Sequence, residues 1–531
     1  MKRALLHVYI DTHFIELIRV ARLLRDSKRY DILFYFEYHY GALERDLKIA
    51  FAEGFVCLDK AGNPFTTTDV SIPAPAAILE AAVDVMPSVT PDHLSVRPKL
   101  GFRAWIISNW LAFKIRYPKV HRSAALAPLI LCARAFFKTL SAIHYAISWV
   151  NLLARIHPEI PGQIIYLYHQ AKLARKLIAE NQPDVVILPE GNIAYATASL
   201  TRAAHQRKVP VLIVPFTIAN ASELAEAYWH NPDYGMGPRL NRFVAKWFPK
   251  WVLTYKGLRI LPLRSAQIIA MEFFRLSPPL PWIINSGNID AIAVESDRMR
   301  EYYLQAGLPA HKLAAIGTLA DDNLFRGKVN AATNRARLYE ELDLPVELPL
   351  LLCALTPDQI RTGRAGCDFS NYADLIDFWL KTLADVRNYN VIVKLHPRMK
   401  LEDFSFVEQY GLKISQWDTA DLIPLCDIYV ASVSATIRWA ISCGKPVVNY
   451  DVYRFRYEDF SDVKGVITIE EQREFIDTLK RLCNDSAFLT KIISAQALEA
   501  PRWANLDGRS SIRMLQFIDA YAHRCQGRLP P

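Results

Sequence analysis

At 531 residues the chain is too long for one hydrophobic core of ordinary size, so two domains are expected. Its 51% hydrophobic and 22% charged content is that of a globular chain and excludes disorder. The net charge of +9 points to an anionic partner, and the eight cysteines, scattered from Cys57 to Cys525 without a CxxC pair, fit reduced cytosolic thiols better than a disulfide framework or a zinc site.

The chain opens on "MKRALLHVYIDTH", whose apolar run is too short for a secretory signal. "RALLHVYI", "THFIELIRVARLLRDSKRY" and "DILFYFEY" read as strand, amphipathic helix and strand. Phe14, Leu17, Ile18, Ala21 and Leu24 give the helix its buried face. Continuous apolar strands around such a helix predict a parallel βαβ unit. "GFVCLDK" is a third strand. A Pro-rich insertion then runs over roughly 61–160. Its most apolar part, 123–150, is interrupted by Arg134, Lys138 and His144 and is not expected to span a membrane. A long helix near 161–181, the strand "DVVILPEGN", a helix near 193–207 and the strand "VPVLIVPF" follow. A second basic insertion covers about 220–282, and then "IDAIAVES", "DRMREYYLQAG" and "KLAAIGT" add strand, helix and strand. Residues 318–346 read as a linker with one helix. A second α/β series begins at "LPLLLCALT" and continues through "YADLIDFWLKTLADV", "NVIVKLHP", "DIYVAS", "SATIRWAISCG" and "KPVVNYD", with helices from 469 to 523. The expected fold class is α/β, with Rossmann-like domains at 1–330 and 345–531. Ligands bind such parallel sheets outside the carboxyl ends of the strands.

Five stretches place polar residues at those ends. In "PEGN", Glu190 follows a buried strand, where a partly desolvated carboxylate suits general-base work; the alternative is a capping turn with Gly191 in a positive-φ conformation. In "KLHPR", His396 suits a phosphate or a leaving group, Pro397 ends the strand and fixes the ring's direction, and Lys394 and Arg398 add positive charge; the alternative is a solvated strand end. In "ASVSATIRWA", Ser432, Ser434 and Thr436 cluster where a strand becomes a helix, as an anion site or as an N-cap. In "YDVYRFRYEDF", Asp451 sits on the rim while Arg454 and Arg456 suit phosphate or pair with Glu458 and Asp459. In "YIDTHF", Asp11 and His13 lie on the rim of the first half or cap its first helix. There is no GxxxxGK[ST] loop, no HExxH and no GxSxG, and neither a metal nor another cofactor is expected.

Two Rossmann-like halves, an acid-Gly turn in the first, and His-Pro and Ser/Thr motifs in the second resemble GT-B glycosyltransferases of bacterial surface-polysaccharide assembly. The pattern is similar to that of sialyltransferases, polysialyltransferases and capsule Kdo transferases. The second half also resembles the glycerophosphotransferases of teichoic acid synthesis. By organisation the resemblance covers about 1–60 and 160–465. It implies the GT-B fold, a nucleotide-sugar donor and a glycan or lipid-linked acceptor. It makes Glu190 the acceptor-activating base, His396 the group on the donor phosphate, and Ser432, Ser434 and Thr436 phosphate-binding hydroxyls. Pro189 stands where the pattern often has a second acid. Ile437 and Arg438 stand where many UDP-sugar enzymes carry a ribose-binding glutamate, which favours a CMP- or CDP-linked donor. The alternatives are an enzyme resembling UDP-GlcNAc 2-epimerase, through "SATIRWAISCGKP", and a non-catalytic nucleotide-binding scaffold.

The insertions are basic and aromatic. Between 97 and 160 the cations run from Arg97 to Arg155 against one acid, Glu159, with Trp105, Trp110 and Trp149 among them. Between 238 and 282, Lys246, Lys250, Lys256, Arg259 and Arg264 alternate with Trp247, Phe248, Trp251 and Tyr255. Such helices suit an anionic membrane surface, and the expected location is cytoplasmic and peripheral on its inner face; the alternative is an added helical subdomain whose aromatics are core. No nucleic-acid module is present, so nucleic acid is not expected as a partner.

Overall fold

The computed structural model describes residues 1–66, 157–215, 220–360 and 366–522. The chain divides into two compact units, one of Met1–Ala74, Gln170–Arg264 and Arg275–Pro531, the other of Pro75–His169 and Ser265–Phe274. The first insertion falls almost wholly outside the described residues. Both sheets belong to the first unit.

The amino-terminal sheet is built from β1 (Lys2–Val8), β2 (Tyr30–Phe36), β3 (Val56–Leu58), β4 (Val185–Leu188), β5 (Val211–Ile213), β8 (Ala291–Val294) and β9 (Leu313–Ala315). A separate antiparallel hairpin, β6 (Leu253–Tyr255) and β7 (Leu258–Ile260), precedes β8. Helix α1 (Asp11–Asp26) buries Phe14, Leu17, Ile18, Ala21 and Leu24, the stripe read from their spacing. The β1 strand is buried continuously from Ala4 to Val8, because both faces of the sheet are covered. Ala4 and Leu6 pack into one layer with Phe14 and Phe34, while Leu5 joins Leu33, Val186 and Leu188 in the other. Further along, α2 (Thr197–Gln206) follows β4, and α3 (Arg239–Trp247) leads into the hairpin.

Residues 319–341 form two helices, α4 (Leu319–Val329) and α5 (Ala331–Glu341), where one was expected. Thr318 and Asp321 form a capping box at the start of α4. The carboxy-terminal sheet is built from β10 (Leu350–Ala354), β11 (Asn390–Lys394), β12 (Lys413–Ile414), β13 (Ile428–Ala431), β14 (Val447–Tyr450) and β15 (Val466–Ile469). Helix α6 (Tyr372–Ala384) joins β10 to β11, and α7 (Ile437–Ser442) joins β13 to β14. Two of its strands, β12 and β15, were not anticipated.

The final helix departs from the expected division. Placed with the second domain by the boundary 345–531, α9 (Ser510–Ala522) instead packs on the first sheet; α8 (Gln472–Asn484) stays with the second. Met514, Phe517, Ile518 and Ala522, at helical spacing, enter the same core layer as Leu6 and Phe14. Asp322 accepts the Ser510 and Ser511 N–H groups, each at 2.8 Å, and so caps the helix from α4. Asp519 pairs with Arg29 and accepts the Tyr30 hydroxyl at 2.7 Å. Each large side chain buried in this way contributes about 1.5–3 kcal/mol, enough to carry the chain back to its first sheet.

Candidate functional site

The first sheet runs β3-β2-β1-β4-β5-β8-β9, and the second runs β12-β11-β10-β13-β14-β15. The strand pairs given within them are parallel. Each order reverses beside its first strand, between β1 and β4 and again between β10 and β13. Doubly wound sheets bind ligands outside the carboxyl ends of the strands at such a reversal. Glu190 lies two residues beyond β4, Asp11 and His13 lie just beyond β1, Ser432 directly follows β13, and His396 lies two residues beyond β11. The first reversal thus collects Glu190, Asp11 and His13 and the second the Ser432 cluster, while His396 follows β11, one strand away from it.

In the first half, Glu190 is only 5% exposed. His13 was expected on the rim. It is buried instead, on the first turn of α1, with Nε2 3.4 Å from Glu190 Oε1. The Tyr9 N–H points at His13 Nδ1 at 3.4 Å, which assigns the proton of the neutral ring to Nε2, facing the carboxylate. Burial lowers the His13 pKa, and Glu190 opposes that shift. The Tyr195 hydroxyl also bonds Glu190; burial, followed by the Glu190 charge, pushes the phenol's pKa up and keeps it protonated. Asn192 Nδ2 lies 3.4 Å from Oε1, and Tyr9 stacks on Tyr195 at 3.9 Å between centroids. Beside this group His7 and Glu37 meet at 2.6 Å. Glu190 is therefore held by a neutral imidazole, a phenol and an amide.

Gly191 does not adopt a positive φ, so that part of the capping-turn reading is corrected. The constraint is space. A Cβ at Gly191 would meet Asn285 Cα at 3.3 Å and Ile213 Cδ1 at 3.2 Å, and the Gly191 N–H donates to Asn285 Oδ1 at 2.6 Å.

In the second half, His396 is half-buried, and its pKa is lowered to about 4 by burial first and Arg398 second, with Asp11 opposing. The Arg398 N–H donates to Nδ1 at 3.2 Å, so the neutral ring carries its proton on Nε2. At neutral pH this histidine is a hydrogen-bond donor, not a cation. Pro397 and Arg398 are exposed, and burial lowers the Lys394 pKa. Asp11 is the first residue of α1, where its carboxylate accepts the Thr12 N–H at 2.8 Å without capping the helix, and it acts on His396 across from the other sheet.

The hydroxyl cluster divides its roles. Ser434 and Thr436 bond one another at 2.7 Å, Thr436 meets the Tyr429 hydroxyl at 2.5 Å, and the Thr436 N–H donates to Ser434 Oγ at 3.3 Å. Those two shape the start of α7, which has only six residues. Ser432 is buried, and its Oγ has no hydrogen-bond partner among the described residues. Between them Val433 sits at φ +44°, an outlier for a β-branched residue that costs about 1–3 kcal/mol. Its N–H donates to Asn449 Oδ1 at 2.8 Å, which holds the turn.

Arg454 and Arg456 do not turn to this site. Arg454 reaches Asp368 at 2.8 Å and Glu471 at 3.0 Å, and Arg456 takes Glu470 at 2.8 Å. The expected surface partners, Glu458 and Asp459, are not the ones used. Asp451, expected on the rim, is 1% exposed and accepts the Phe455 and Arg456 N–H groups at 3.0 and 2.6 Å, so it folds its own loop. Arg438 is also buried. It pairs with Asp321 at 3.2 Å and reaches Thr318 Oγ1 at 3.3 Å. Burial raises the pKa of Glu16 and of Glu295 nearby, and the Arg438 charge opposes both shifts.

Tyr195, Asn285, Val433 and Asn449 had no signature in the sequence. Each is defined by a partner at least three residues away or by a backbone angle. A cavity of about 550 Å³ opens between α6 and α8 near the start of β11, lined in part by Lys381, Arg387, Lys480 and Cys483, and holds none of the candidate residues. Among the described residues no group of three His, Cys, Asp or Glu side chains is placed to hold a metal ion.

The fold and site together define an α/β protein with two Rossmann-like sheets, each with polar groups at its switch point. No family model and no curated protein matches the chain. Among solved structures it is similar to CalG4, the calicheamicin glycosyltransferase, with 10% identity and a TM-score of 0.49 over 100% of both chains. It is similar to UDP-GlcNAc 2-epimerase from Neisseria meningitidis, with 10% identity and a TM-score of 0.45 over 98% of this chain and 100% of that one. It is also similar to the wall teichoic acid polymerase TagF, with 12% identity and a TM-score of 0.39 over 64% of this chain and 72% of that one.

Proposed function

We propose that the protein is a GT-B-type glycosyltransferase that moves a sugar from a CMP- or CDP-linked donor to a surface-glycan or lipid-linked acceptor. One observation carries the reading: a buried, oriented carboxylate ends the strand at one switch point, while a neutral histidine and an unpartnered serine hydroxyl follow strands of the other sheet. Glu190 takes the proton of the acceptor hydroxyl, with His13 and Tyr195 fixing the carboxylate. The acceptor oxygen bonds to the anomeric carbon as the bond from that carbon to the phosphate oxygen breaks. The electron pair leaves with the nucleotide. The phosphate accepts hydrogen bonds from His396 Nε2–H and Ser432 Oγ–H, with Lys394 supplying charge. In this reading donors from the protein hold the phosphate and no metal is required. Arg454, Arg456 and Asp451 are left out, since each is engaged elsewhere.

The reading puts the enzyme in the cytoplasm, peripherally on the inner face of the membrane. Its support is the cation excess at 97–155, outside the described residues, and at 238–264. No helix among the described residues is long and apolar enough to cross a membrane. The test is thermal shift against CMP, CDP, UDP and GDP, then nucleotide release from the matching sugar donors with and without acceptor. A nucleotide at about 100 times its dissociation constant stabilises by about 2.7 kcal/mol. Acceptor-dependent release supports transfer. Turnover of UDP-GlcNAc without acceptor identifies the epimerase reading, and binding without turnover identifies a scaffold.

A further inference from the structure

From 234 to 271 the sequence contains seven Lys or Arg residues and no Asp or Glu. The fold gathers part of this stretch on one helix. Along α3, Arg239, Arg242, Phe243, Lys246 and Trp247 are all exposed, and Lys250 continues the row in the turn that follows. The spacing is 3, 1, 3, 1 and 3, one face of a helix. Phe243 is 48% and Trp247 62% exposed, with their rings 6.2 Å apart. Lys246 Nζ lies 5.8 Å from the Trp247 ring.

The opposite face is anchored. Asn241, Val244 and Ala245 are buried, and Asn241 Nδ2 donates to the carbonyls of Asp233 and Gly235 at 2.7 and 2.6 Å. Trp251 is fully buried and its carbonyl accepts the Trp282 indole N–H at 2.9 Å. The exposed aromatics are therefore not core residues lacking a place; the helix presents them from a fixed base. Farther along, Lys256 pairs with Glu226 at 2.7 Å and Arg264 approaches Asp233 at 3.9 Å, so those two charges are partly engaged. Helix α3 itself carries no carboxylate.

We infer that this row of α3 is a docking surface for an anionic lipid bilayer, with Arg239, Lys246 and Lys250 on headgroup phosphates and Phe243 and Trp247 inserted at the acyl boundary. Charge complementarity selects the partner. A cationic helix face without acids meets an anionic leaflet without repulsion, and large aromatics at i and i+4 sit at the depth where such rings partition. A protein partner would have to supply an acidic groove shaped to both rings, whereas a bilayer supplies both environments over any area. The inference rests on the transfer reading only for the choice of the cytoplasmic leaflet, because lipid binding needs no catalysis.

The test is co-sedimentation of the full chain with vesicles of phosphatidylcholine alone and of phosphatidylcholine with phosphatidylglycerol, at low and high salt. Binding to the anionic vesicles alone is expected. In an Arg239→Gln/Lys246→Gln variant the partition coefficient should fall about 30-fold, since each cation near an anionic leaflet is worth about 1 kcal/mol. A Phe243→Ser/Trp247→Ser variant should lose the part of binding that survives high salt. Single Lys246→Gln and Trp247→Ser variants serve if a double variant shows an altered circular dichroism spectrum. Equal binding to both vesicles, binding to neither, or unchanged binding in the variants overturns the inference. So does capture by heparin that depends on Arg239 and Lys246 while vesicles leave the protein in the supernatant. Transfer to a soluble acceptor, measured in parallel, should be unaffected by these substitutions and reports separately on the catalytic reading.

Discussion

The affinity for the donor should depend on pH through His396. In the free protein this imidazole titrates near 4, because burial and Arg398 disfavour its charged form. A donor phosphate at Nε2 reverses that balance. One negative charge at about 4 Å, with an effective dielectric of about 20, is worth about 4 kcal/mol, or about 3 pKa units. The complex would then titrate near 7. A group whose pKa is higher in the complex favours binding fully below the free-state value and loses that advantage as pH rises through the bound value. Affinity for a CDP-linked donor, whose esterified phosphates do not titrate between pH 5 and 8, should therefore rise about 80-fold from pH 8 to pH 5. With half the charge interaction, as water at the half-exposed ring would allow, the rise is about 4-fold. Isothermal titration calorimetry at pH 6, in two buffers of different ionisation enthalpy, reads the proton taken up. His396→Asn keeps an acceptor for the Arg398 N–H and should abolish both uptake and slope. A flat pH profile in the wild type, or the same slope in the variant, would show that no phosphate sits at this ring.

Replacing Glu190 by Gln keeps its shape and some of its hydrogen bonding but removes the base. Turnover should fall by about 10²–10⁴ with nucleotide affinity retained, and an equal collapse of affinity in calorimetry would make Glu190 a binding residue. Val433→Gly should release about 1–3 kcal/mol of backbone strain against about 0.5–1 kcal/mol of added chain entropy, raising the thermal midpoint while slowing turnover; a lower midpoint would count against strain at this turn. Arg438→Ala leaves Asp321 buried without its partner and should cost about 3–5 kcal/mol in denaturant unfolding, and the Arg438→Met/Asp321→Asn pair should recover most of that loss. An Arg438→Ala variant as stable as the parent would show that the pair is not what secures α7 to α4.

The parts of the fold that could be read from sequence are those where burial imposes a period. The α1 stripe and the continuous strands "ALLHV", "VVIL" and "IYVA" are fixed by being covered on both faces, and each is found where its pattern lies. The strands β12 and β15 are short and partly exposed, so no such pattern marks them. The return of α9 to the first sheet could not be read, because an apolar stripe states that a helix packs and not which core receives it. The site divides in the same way. Glu190, His396 and Ser432 were legible because a polar residue just after a buried strand must lie at the carboxyl edge of a parallel sheet. Arg454, Arg456 and Asp451 satisfy the same rule and were misread. Asp451 turned inward to its own loop, and acids outside that loop, among them Glu470 and Glu471, claimed the guanidinium groups.

The contrast between the two switch points bears on the direction of the chemistry. At the first, the groups around Glu190 are a neutral imidazole, a phenol and an amide, all able to donate, so the carboxylate is stabilised without a cation beside it. These neutral donors orient it. In the second sheet the ring at His396 is neutral, and the Ser432 hydroxyl, followed by Val433 at a positive φ, has no hydrogen-bond partner among the described residues. In the proposed reaction the phosphate meets these two donors together with the Lys394 charge, and protonation of His396 strengthens the hold as pH falls. Arg438, on α7, is buried and paired with Asp321. In the proposed reaction, acceptor activation is assigned to the first sheet and phosphate departure to the second. The His396 titration tests the second assignment and Glu190→Gln the first, so the failure of one leaves the other standing.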